Sequence, residues 1–221
     1  SSDLEFGCES ASGDSQLVGM RFNNITIPKG AIISKAYIQF TVDATGKNTN
    51  PCIVYLKAEA TDSAHTFSDT IRYGLSTRAK LADSIKWTVT NGGTWNVVGS
   101  ATADQRTPNL AAFVQSLIGR SGWKAGNSIA FYLFGSGTRE VEAYDGDAPK
   151  APQLVIEYFM PISINSRIAA ASDDLEEWTS NGNPSTGKIL GNNDIGSSDL
   201  EFGCESASGD SQLVGMRFNN I

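Results

Sequence analysis

Residues 16–43, QLVGMRFNNITIPKGAIISKAYIQFTVD, decide the fold class. From Gln16 to Asn23 the residues alternate, with Leu17, Gly19 and Arg21 on one face and Val18, Met20 and Phe22 on the other, the period of a strand. Pro28-Lys29-Gly30 is a turn signal. Ala31 to Asp43 is the longest strand candidate, setting Ile33, Lys35, Tyr37 and Gln39 against Ser34, Ala36, Ile38 and Phe40.

The same pattern recurs outward from this stretch. Cys52–Ala60 (CIVYLKAEA) reads as a third strand, and Asn127–Phe134 (NSIAFYLF) and Gln153–Met160 (QLVIEYFM) are apolar enough to be central strands of a sandwich. One short α-helix near 108–119 is signalled by Thr107 as N-cap, Pro108 at the first helical position and Leu110, Phe113, Val114 and Leu117 at helical spacing. It should end near Gly119–Gly122. Many short strands and one helix predict an all-β protein, an antiparallel β-sandwich of jelly-roll type.

The chain of 221 residues repeats itself. Residues 197–221, SSDLEFGCESASGDSQLVGMRFNNI, are identical to residues 1–25, a period of 196. Cys204 is therefore the second copy of Cys8, and the repeat unit holds two cysteines, Cys8 and Cys52. Such identity points to an array of near-identical modules, or else to a segment duplicated on purpose so that an extra strand completes a fold. A net charge of −7 disfavours nucleic acid and anionic membrane surfaces as partners. No run of 18 apolar residues is present, so no transmembrane helix and no membrane insertion are expected. The chain opens Ser1-Ser2-Asp3 with no leader-like segment, and an export signal is expected outside these residues.

Several stretches carry a resemblance. Gly19–Phe22, Ile27–Ala31, Ala36–Phe40, Ala103–Leu110, Ala143–Gly146 and Pro152–Val155 together resemble a β-sandwich module repeated in large bacterial secreted and surface proteins, the DNRLRE/CBM-like type. In that family the module opens with a strand and an acidic cluster, and Ser166-Arg167-Ile168 followed by Ser172–Glu177 is similar to that opening. The resemblance implies accessory, adhesive or carbohydrate-associated roles, without catalytic residues. It also sets a register, in which 1–160 is the body of one module lacking its opening strands and 162–221 is the opening of the next. Neighbours would join at a linker around Phe159-Met160-Pro161 or by an exchanged strand, with Gln212, Leu213, Val214, Met216 and Phe218 as the self-assembly strand.

Chemistry-bearing residues are few. Extracellular placement makes a Cys8–Cys52 disulfide the expectation, with two buried thiols as the alternative; closing about 45 residues, the bridge would stabilise by roughly 4 kcal/mol. The acidic residues Asp173, Asp174 and Glu177, with Asp62 and Asp145 in loops, are candidate oxygen ligands for a structural Ca²⁺, although no EF-hand loop is present. Trp87, Trp95 and Tyr144 are candidates for stacking on a polysaccharide. His65 is the single histidine, no nucleophile-elbow, P-loop or zinc spacing occurs, and the paired carboxylates are chain neighbours rather than groups facing across a cleft. The sequence thus predicts a non-enzymatic module that requires no cofactor, in an extracellular filament, sheath or cell-surface adhesin, with self as partner. A carbohydrate-binding module of a larger secreted protein is the alternative.

Overall fold

A computed structural model describes residues 3–8, 15–46, 48, 51–89, 93–170, 172–179 and 211–219. The chain divides into two compact units, Ser1–Pro161 and Ile162–Ile221.

The first unit is all-β and sandwich-like, with antiparallel sheets and one short α-helix. In chain order it runs β1 (Asp3–Gly7), β2 (Val18–Ile25), β3 (Ile32–Gln39), β4 (Val42–Ala44), β5 (Cys52–Ala58), β6 (Ile85–Val89), α1 (Ala111–Ile118), β7 (Asn127–Ser136), β8 (Thr138–Glu142) and β9 (Gln153–Phe159). Hydrogen bonds order the strands as β2-β7-β5-β6, β1-β8-β4 and β3-β9. One core joins them. Val18, Met20, Ile38, Phe40, Val54, Leu56, Trp87, Trp95, Phe131 and Leu133 pack together with Leu110, Val114 and Leu117 from the helix and the turn before it. In the second unit β10 (Asp174–Thr179) pairs antiparallel with β11 (Ser211–Met216).

The alternating stretches fold as strands close to their expected bounds. In β2 Val18 and Met20 are buried while Gly19 and Arg21 turn to the other face. The expected faces of β3 are only partly right, because Ile33 lies inside with Ala36 and Ile38. A register shift between Ile33 and Lys35 in the pairing with β9 is the reason, since one irregular residue carries Ile33 to the opposite face.

The helix starts at Ala111, after the proposed Thr107 cap, and Thr107 has another task. One edge of β3 pairs with β9, and the segment 105–115 closes the other. Phe40 N–H donates to the Gln105 carbonyl (3.0 Å) and Thr107 N–H to the Ile38 carbonyl (3.1 Å). Ile38 N–H donates to Thr107 Oγ1 (3.0 Å), Ala36 N–H to Asn109 Oδ1 (3.0 Å) and Ile33 N–H to Gln115 Oε1 (2.9 Å). Side chains supply acceptors where the passing backbone does not, so β3 keeps no open edge.

Strand β8 (TREVE) was not anticipated, because it carries three charged residues and is buried along its whole length. Arg139 is fully buried, with Nη1 donating to the Thr138 carbonyl (2.7 Å) and its guanidinium 5.8 Å from the Trp95 ring centre. A second polar knot holds the connection after β5. The Tyr132 hydroxyl donates to Glu59, Arg78 pairs with the same carboxylate (3.2 Å), and the Arg78 guanidinium also donates to the carbonyls of His65 and Thr66 (2.7 Å each). Burial, reinforced by Glu59, pushes the Tyr132 hydroxyl well above its ordinary range.

Replacing Asn109 tests the closure of β3. Asn109→Ala removes the acceptor from the buried Ala36 N–H and is expected to lower unfolding free energy by about 1–3 kcal/mol in chemical denaturation, with Asn109→Asp retaining most of it.

Candidate functional site

The candidate site is the outer edge of β2, and it begins with small and polar residues at particular places. Gly19 leaves room for the connection after β5: a Cβ there would lie 3.0 Å from the Phe67 ring and from Leu75. Arg21 fixes that connection to the sheet, its Nε donating to the Ala64 carbonyl (2.7 Å) and its Nη2 to Ser128 Oγ (3.0 Å). The inner face is anchored by Met20 in the core and by Phe22, whose ring meets Phe131 edge-on at 6.3 Å.

One edge of β2 is paired with β7, in the register Val18↔Leu133, Gly19↔Tyr132, Met20↔Phe131. Its other edge holds no strand among the described residues. Two adjoining grooves run there instead. One, about 530 Å³, is lined by Leu4, Met20, Phe22, Phe67, Tyr144 and Pro152 among others. The second, about 610 Å³, continues past Phe22, Asn23 and Ile25 to Gln153 and Leu154 at the start of β9. Tyr144 stands exposed beside both. The β2 edge therefore faces an open channel between it and the 143–154 segment.

Elsewhere the same amino acids sit differently. Ser211–Met216, the second copy of Ser15–Met20, is β11, and it pairs with β10 as Asp174↔Met216, Glu176↔Val214 and Trp178↔Gln212. Met20 is 6% exposed, whereas Met216 is 48% and Phe218 47% exposed. Of the expected self-assembly strand, Gln212, Leu213, Val214 and Met216 thus lie within β11 and Phe218 just beyond it.

The cysteines are corrected in detail. Cys8 and Cys52 are both buried free thiols, not a bridge. Each rests on Gly137: Cys8 N–H donates to its carbonyl (2.9 Å), and a Cβ at Gly137 would come within 2.6 Å of the Cys52 Cα. They pack as small apolar groups. Burial pushes the Cys52 thiol up to about 11, against a downward pull from Arg139 and with a smaller upward push from Cys8. Cys204 lies outside the described residues.

The expected cation ligands are divided between the two units. Asp62 is engaged by Arg120 Nε (2.6 Å), Asp145 is exposed, and Asp173 accepts from Asn219 Nδ2 (2.7 Å) with Arg217 at 3.8 Å. The Glu177 side chain lies outside the described residues, and Asp174 is half-buried on β10. Asp3, Glu5 and Glu140 do converge, with carboxylate oxygens within 4.8 Å of one another. Spacing by two puts Asp3 and Glu5 on one face of β1, which the sequence shows; that Glu140 lies opposite Glu5 follows only from the pairing with β8.

The aromatic platform is also corrected. Trp87 stacks on Phe40 with ring centres 5.9 Å apart and meets Trp95 at 6.1 Å, and both tryptophans are buried in the core. Only Tyr144 of the three is exposed. Comparison with known proteins found no matching family model, no matching curated protein and no matching solved structure.

Two outcomes follow. Trp95→Ala should lower stability by about 3–5 kcal/mol in denaturant titration, the cost of emptying a core aromatic site. The raised Cys52 value adds a pH term: the unfolded thiol ionises above about 9 while the folded one stays protonated to about 11, so its contribution is whole below 9 and is lost as pH rises through 11. Melting temperature should accordingly fall less steeply between pH 9 and 11 in Cys52→Ala than in the parent chain.

Proposed function

We propose that this chain is a structural module of a tandem-repeat extracellular filament, sheath or adhesin-like surface protein, whose modules join head to tail. The observation that carries the reading is the repeated 25-residue stretch, whose described parts 15–23 and 211–219 lie in two environments. In the first copy Met20 is sealed in a core built from residues 27–160; in the second, Met216 and Phe218 are half exposed. The second unit offers the opening of a module, and the first offers the body that such an opening needs. Buried apolar surface at that junction supplies the attraction.

The role is mechanical, with each body burying its own core and passing load through strand pairing to its neighbour. It asks for no cofactor. The loss of Trp87 and Trp95 to the core removes most of the aromatic surface on which a polysaccharide reading rested. The partner of the module is then another copy of itself.

Sedimentation velocity across a concentration series, with negative-stain microscopy of the most concentrated sample, tests the reading. Oligomers that lengthen with concentration, seen as single-file rows of beads, are expected. A monomer throughout the series would refute it.

A further inference from the structure

The head-to-tail reading leaves open which strand crosses between copies, and the inference here rests on it. We propose that β10 of one copy pairs with the open edge of β2 of a second copy, in the register Asp174↔Met20, Glu176↔Val18, Trp178↔Gln16. The exchanged element is then residues 174–179, and the stretch 212–218 is one of its two alternative acceptors.

The register is that of the chain's own second unit. There β10 lies against Ser211–Met216, and that stretch is identical, residue for residue, to Ser15–Met20. Whatever backbone pairing suits the second copy suits the first. The parity also agrees. Arg217 N–H donates to the Asp173 carbonyl (2.7 Å), so odd-numbered residues of this strand turn their backbone groups toward β10. In the first copy those positions are Leu17, Gly19 and Arg21. The even positions turn the other way, as Gln16 does in donating to the Gly7 carbonyl (3.1 Å), and serve β7. The two pairings use opposite edges of one strand and do not compete for a single hydrogen bond.

Space and supply point to the same occupant. The outer edge of β2 opens at Gly19–Phe22 on a groove that also touches Tyr144 and Pro152, and in this register Asp174 and the two residues before it, opposite Met20 to Phe22, would enter it. β3, by contrast, has its second edge closed from within the unit by Thr107, Asn109 and Gln115. The chain contains the 174–179 sequence once and its acceptor twice. Each chain therefore holds one donor for two acceptors, and the head-to-tail reading assigns the donor at the Ser15–Met20 edge to another copy. Moving β10 from one acceptor to an identical one leaves the ladder hydrogen bonds unchanged and adds burial in the groove, so exchange propagates from chain to chain.

The full chain supports a direct test with one substitution placed in either acceptor. Proline at an odd position removes an N–H aimed at β10 and spares the pairing of the opposite edge. Leu17→Pro should weaken association about tenfold or more. Leu213→Pro, the same change in the other copy, should free β10 and strengthen association. Circular dichroism checks that both variants fold. A second measurement does not depend on proline: a chain bearing Gln16→Cys is mixed with one bearing Trp178→Cys and oxidised with a small-molecule disulfide. The two thiolates join by exchange, the reagent leaving as its thiol, and a reducible heterodimer is expected.

Assembly that Leu17→Pro leaves intact, without the heterodimer, would overturn the strand assignment while head-to-tail association stands. A chain carrying both cysteines that closes only on itself would overturn it too, by showing β10 on its own β2. A parent chain that never associates would remove the head-to-tail reading itself.

Discussion

Each strand at the end of a sheet carries a row of backbone donors and acceptors that must find partners, and this constraint organises the protein. β7 and β5 meet it by lying inside their sheet, with neighbours on both sides. β3 meets it with a non-strand segment whose side-chain acceptors stand at the required intervals. The polar residues of 105–115 are therefore as structural as the apolar ones. Thr107, Asn109 and Gln115 let a turn and a short helix do the work of a strand, which also brings Leu110, Val114 and Leu117 into the core. β2 also ends its sheet, and no strand lies along its outer edge among the described residues.

What was legible in the sequence was whatever depends on local period. β2, β3, β5, β7 and β9 are stretches where apolar or β-branched residues alternate or run together, and they appear within a few residues of their expected ends. The repeat was legible because identity needs no physics to see. β8 was not, because TREVE has the composition of an exposed turn. It is buried, with Arg139 against Trp95 from a segment far away in sequence. The tryptophans misled for a related reason. Trp87 and Trp95 sit among Thr, Asn and Gly, which suggests a surface, yet Phe40 and Arg139 arrive from elsewhere in the chain to cover them. Thr107 looked like a helix cap because hydroxyl acceptors serve strand edges and helix ends equally well.

The candidate site was half legible. The duplicated strand stood out, and its alternation put Met20 on one face with Val18 and Phe22; that this face turns inward is seen only in the fold. That its second edge is open could not be read from residues 15–25, since edge status depends on where residues 143–154 run. The acidic stretch 172–177 also read as chemistry, a cation site, when its backbone matters more. Asp173 is spent on Arg217 and Asn219, holding the end of β11 to the start of β10. Its carboxylate orients the strand pair.

A duplicated strand changes the energetics of joining. In most strand exchanges the donor leaves a closed native arrangement and must recover what it gave up. Here the donor's two acceptors have one sequence, so backbone pairing and cross-strand contacts largely cancel between the closed and exchanged states. The difference that remains is the environment beside the acceptor. In and just after Ser211–Met216 the residues Met216 and Phe218 stay half exposed, whereas Val18 and Met20 of the first copy sit in a finished core, with a groove beside Gly19 and Met20. In the proposed exchange a small net preference, repeated at every junction, would bias a population of chains toward rows, because each added chain would present the same β2 edge that received it. The repeat thus does more than lengthen the molecule: it makes the acceptor and its competitor equal, and leaves burial to choose between them.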